Sequence, residues 1–117
     1  MPFSAEIDLL SRYEHFIHAR VERTLLGPRA EFSLTLRPAG PGGRPGQPLV
    51  MRVGGISPFA EVEAQLEAWV GQRLDSVEPL QVRGSDLQLR LSHSQGSVEL
   101  VFFCKNLSVI DPYEQYP

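Results

Sequence analysis

Leu87-Gln88-Leu89-Arg90-Leu91, a polar turn Ser92-His93-Ser94-Gln95-Gly96, and then Ser97-Val98-Glu99-Leu100-Val101-Phe102-Phe103-Cys104-Lys105 make the stretch on which the fold is decided. In its first part every second residue is leucine, with Gln88 and Arg90 between them. Successive side chains of a β-strand point to opposite faces, so such a run buries one face and wets the other. The turn reverses the chain, and the two runs read as an antiparallel hairpin. On 97–105, Val98, Leu100, Phe102 and Cys104 share the core face, and Val101 and Phe103 project from the opposite one.

Upstream, residues 59–74 carry Phe59, Val62, Leu66, Trp69, Val70 and Leu74 on one arc at helical spacing, with Glu61, Glu63 and Glu67 elsewhere. Ser57-Pro58 suits the start of that helix, and Gly71 weakens its last turn. Residues 31–37 alternate again, with Phe32, Leu34 and Leu36 inward, and 49–53 resume as a second strand. Between them, residues 38–48 hold four glycines and four prolines, a composition for a flexible loop. At the N-terminal end, residues 4–26 read as one amphipathic helix. Ile7, Leu10, Ile17, Val21 and Leu25 form its stripe, Ser4 its cap and Gly27-Pro28 its stop. A short strand at 80–82 and an extended C-terminal tail over 106–117 complete the chain.

The order predicts a single α+β domain spanning 1–117. An antiparallel sheet of four to five strands carries two packed helices, in the order α-β-β-α-β-β(-β). With 117 residues, 42% hydrophobic and 21% charged, the chain suits one globular core without staples. No run approaches the length of a membrane span, and the first residues lack a signal-peptide pattern. A lone cysteine, Cys104, fits a reducing compartment, so the expected location is cytoplasmic. Charge is uneven, about +2 through Ile56 and −5 beyond it, yet the arginines are scattered and there is one lysine. Nucleic-acid binding asks for a clustered basic surface, so neither nucleic acid nor membrane is an expected partner.

Residues that could carry chemistry have plainer roles. His15 and His18 with Glu14 and Glu22 fall near one helix face but match no metal module, so no metal is expected. Cys104 points inward and reads as an inert thiol. Ser92-His93-Ser94 lies in a turn with no nucleophile elbow around it, and Glu61 and Glu63 diverge on their helix. Gly54-Gly55 could present amides to an anion but more simply turns a corner. Trp69 belongs to the core. No catalytic residue and no cofactor is expected.

The stretch Phe59-Ala60-Glu61, Leu66-Glu67-Ala68-Trp69-Val70, Leu80, Asp86-Leu87-Gln88-Leu89-Arg90 and Gly96-Ser97-Val98-Glu99-Leu100 resembles small uncharacterised bacterial α+β families. Some of their members are similar to immunity proteins of contact-dependent toxin systems. That resemblance covers the second half of the chain. It implies a cytoplasmic, non-catalytic binding protein and brings no functional residues with it. The arginine-rich, lysine-poor composition also suits a GC-rich bacterial genome.

The expected function is a non-catalytic protein-binding module, of immunity or accessory type. A homo-oligomeric structural or assembly subunit and a small-ligand binder are the alternatives. Candidate partner-binding residues are Val101, Phe103, Arg90 and Arg37, on the sheet face away from the core. The first helix, the tail with Tyr113 and Tyr116, a second copy as a dimer, or another protein could cover that face.

Overall fold

The computed structural model of the chain describes residues 3–38 and 47–110. The tip of the Gly/Pro-rich loop, 39–46, and the end of the tail, 111–117 with Tyr113 and Tyr116, lie outside the described residues.

The protein is α+β and mostly strand. Helix α1 (Ser4–Arg12) is followed by β1 (Arg20–Gly27), β2 (Glu31–Arg37) and β3 (Leu49–Gly54). Helix α2 (Phe59–Leu66) then precedes β4 (Leu74–Arg83), β5 (Asp86–His93), β6 (Val98–Cys104) and β7 (Asn106–Ile110). These strands form two antiparallel sheets, ordered β1-β2-β3-β7 and β4-β5-β6. The expected single sheet is thus two.

The sheets are tied at both sides. Leu74 N–H donates to the Ala19 carbonyl at 2.7 Å and Val21 N–H to the Gln72 carbonyl at 2.9 Å, which joins the start of β1 to the lead-in of β4. On the other side β6 runs on into β7 through Lys105, whose N–H reaches the Gly54 carbonyl at 2.9 Å. Gly54 and Gly55 allow that approach. A Cβ on Gly54 would sit 2.6 Å from the Asn106 amide oxygen, and Gly55 has φ +65 with Lys105 packed against it. The result is a nearly closed sandwich of sheets around one core.

That core follows from the alternation. Phe32, Leu34 and Leu36 of β2 face Leu87, Leu89 and Leu91 of β5 and Leu100, Phe102 and Cys104 of β6, in one buried cluster. Phe32 and Phe102 meet edge to face across the layers at 5.5 Å between centroids. Leu10, Val62, Leu66 and Trp69 close the cluster from the helices.

Five local expectations are corrected. Helix α1 ends at Arg12, not near Leu26. Glu14, His15, Phe16 and His18 all take positive φ, a conformation no right-handed helix contains. Beyond them residues 20–27 form β1 against β2. Spacing of four places Val21 and Leu25 on one face in either a helix or a regular strand, so the stripe did not discriminate. A register shift between Val21 and Arg23 then turns Leu25 outward, 59% exposed. Helix α2 gives way to a 3-10 turn at Glu67–Trp69, leaving Val70 exposed and placing Leu74 in β4. Ser57 does not cap α2. Its backbone instead exchanges hydrogen bonds with Phe103 at 3.0 and 2.9 Å. The strand around 80–82 is a ten-residue β4, with Pro79 accommodated where its register with β5 shifts. Residues 106–110 of the expected tail are an integral strand paired with β3.

Candidate protein-binding face

The outer face of β4-β5-β6 gathers residues at alternate positions of three strands. Register puts Val101 opposite Arg90, Phe103 opposite Gln88, and Glu78 opposite Arg90 on its other side. Because Leu87, Leu89 and Leu91 point inward, Gln88 and Arg90 must point outward. Val101 is 40% exposed and Phe103 is half-buried.

Polar groups around these two side chains are already engaged with one another. The Arg90 guanidinium donates to the Glu78 carboxylate and lies 3.9 Å from Glu99. Ser76 Oγ donates to the other Glu78 oxygen at 3.0 Å. The hydrogen bonds from Arg90 and then Ser76 hold the Glu78 carboxyl below its ordinary range. Gln81 donates to Gln88 at 2.8 Å, and Lys105 pairs with Asp86 at 3.0 Å. The Arg83 guanidinium sits 5.5 Å above the Phe103 ring, within cation–π range. An apolar centre therefore stands in a rim whose charged side chains are held in place before anything binds.

Three of the four candidate residues meet on this face: Val101, Phe103 and Arg90. Arg37 does not join them. It lies at the end of β2 in the other sheet, where its Nε pairs with Glu22 at 3.1 Å. Helix α1, the expected intramolecular cover, packs instead against β7, β4 and the turn that follows it. Ser76, Glu78 and Arg83 were missing from the sequence reading because Pro79 hid the strand that carries them. The signal available was the hairpin Arg83-Gly84-Ser85-Asp86, a glycine turn with φ +61 at Gly84.

The other candidates take structural places. His15 and His18 sit in the left-handed segment after α1, so the helical spacing that grouped them does not exist. Among the described residues no three His, Cys, Asp or Glu side chains lie together as metal ligands would. Ser92 and His93 belong to the buried end of β5 rather than to a turn. The His93 ring packs edge-on to Trp69 at 4.5 Å, and its Nδ1 is in hydrogen-bond contact with Ser94 Oγ at 2.9 Å. Asp75 accepts the N–H groups of Gln95 and Gly96 at 3.2 and 2.7 Å and so closes the β5–β6 turn. Cys104 is buried, and burial, with smaller effects from Asp86 and Glu6, pushes its thiol up to about 12. That is the opposite of what a nucleophilic cysteine needs.

No protein-family model, no curated protein and no solved structure matches this chain.

Proposed function

We propose that the protein is a non-catalytic protein-binding module of the cytoplasm, of immunity or accessory type, and that the outer face of β4-β5-β6 meets its partner. The observation that carries this reading is the exposed Val101 beside Phe103 within a rim of mutually paired charges. Interfaces concentrate their energy in a small apolar centre and use the polar rim for register and specificity. Side chains ordered in advance lose less entropy on association. The resemblance of the second half to immunity-like families points to the same class, and this face belongs wholly to that half.

Val101→Glu and Phe103→Glu variants test it. The native protein is expected to capture a partner from lysate of its source cells that mass measurement identifies, while both variants stay folded and lose it. Retention of the same partner by both folded variants would move the interface elsewhere. A native mass in solution twice that of the variants would identify the partner as a second copy.

A further inference from the structure

Each sheet ends in edge strands, and an unpaired edge offers a row of backbone donors and acceptors to any extended chain. The four edges are not alike. The β6 edge is bridged at Phe103 by Ser57, the β6–β7 junction is tied to the end of β3 where Lys105 N–H meets the Gly54 carbonyl, and α1 packs against β7. The edge of β4 is covered at its start and farther along carries Pro79 and a register shift, both of which spoil strand addition. The edge of β1 differs. Past Val21, no backbone hydrogen bond from another described strand reaches its outer side; its register shift falls at Glu22, at the start of this stretch, and residues 23–26 contain no proline and pair regularly with β2.

Beside this edge lies an open groove between β1 and α2, lined by Thr24, Leu25, Leu26, Glu63, Leu66 and Glu67. Leu25 and Leu26 are 59% and 45% exposed, so apolar surface is left at the strand's rim. Glu63 and Glu67 stand on the groove's helical wall one turn apart, and neither has an ion-pair partner among the described residues. Like charges at this spacing weaken a helix unless something neutralises them. Backbone edge, apolar floor and acidic wall run together.

We propose that 22–26 of β1 is a strand-addition site for an extended segment of another protein, one that alternates apolar residues with lysine or arginine. The segment continues the four-stranded sheet, sets an apolar side chain over Leu26 and Leu66, and brings cations to Glu63 and Glu67. A second copy fits less well, because two-fold pairing of β1 edges brings the Glu63 and Glu67 pairs of both chains to one seam. The site is separate from the Val101–Phe103 face and does not depend on that reading.

A capped peptide of about eight residues alternating valine and lysine, long enough to span the open edge, is the probe. Amide hydrogen exchange of the full chain is expected to slow at 22–26 on adding it. Affinity should fall at least about tenfold for the Glu63→Lys/Glu67→Lys variant and for a valine–glutamate peptide of equal length. Phe103→Glu should leave it unchanged, so the two surfaces fail independently. Absence of binding, protection elsewhere than β1, indifference to the charge of peptide or wall, or dimerisation of the free chain through 22–26 would each overturn the proposal.

Discussion

The two faces of the β4-β5-β6 sheet are made by the same strands and are held by different physics. Toward the core, Leu87, Leu89, Leu91, Leu100, Phe102 and Cys104 are at most 4% exposed, with no polar partner to satisfy. Toward solvent, Arg90, Glu78, Glu99, Gln81 and Gln88 bond one another at the surface around Val101 and Phe103. Removing apolar area from water stabilises in proportion to that area, whereas exposed ion pairs are largely offset by solvation and ordering. Stability therefore resides on one face, and the other is free to serve recognition.

Substitution of the inner face should have the largest effect. Leu89→Ala, at a fully buried position, is expected to cost about 2–5 kcal/mol, read as a lower urea midpoint with unchanged slope. A loss under about 1 kcal/mol would erase the contrast between the faces.

Cys104 sharpens the comparison next. Native labelling by a thiol reagent should be at least about a hundredfold slower than in denaturant, since access requires opening of the core. Its folded pKa, about 12, lies above the ordinary value of 9.0, so the folded state holds a proton that the unfolded chain gives up. The resulting stability is complete below pH 9.0 and is lost as pH rises toward about 12. Cys104→Ala should flatten that alkaline slope; an unchanged slope would place its origin elsewhere.

On the outer face, Glu78→Gln is expected to cost under about 1 kcal/mol, because both partners are more than a third exposed. The sign of its pH dependence is the reverse. The folded pKa lies below the ordinary 4.5, so the contribution is present above that value and lost as pH falls through the folded pKa. Acid titration of stability should show a shallower limb in the variant.

Val101→Glu should have the smallest effect, within about 0.5 kcal/mol by thermal or urea unfolding. A cost of several kcal/mol would mean that the face is internal after all, and the two faces would no longer divide stability from binding.

Both faces of the β5–β6 hairpin were legible in the sequence, because a period of two admits one assignment of sides. Val98 is the exception: although it alternates with Leu100, it lies at the start of β6 and is 39% exposed. The Val101–Phe103 pair and Arg90 could be placed from that period alone. Glu78 and Arg83 could not, because they stand on a strand interrupted by Pro79. Arg37 alternates outward as expected, but alternation within a strand says nothing about which sheet the strand joins.

By itself the sequence determined the α+β class, the inward side of β2, β5 and most of β6, and the buried Trp69 and Cys104, since each depends on local period and burial. Tertiary structure alone decided that residues 20–27 extend rather than coil. The outer side of β2 needs a hydrogen-bonding partner, and the backbone around Gly71 and Leu74 needs another. Residues 18–27 answer both needs, at the cost of left-handed backbone at Glu14, His15, Phe16 and His18. The first partner lies one hairpin away, but no short window along the chain contains the second. That one joins segments about fifty residues apart in sequence, a non-local closure that local periodicity does not encode.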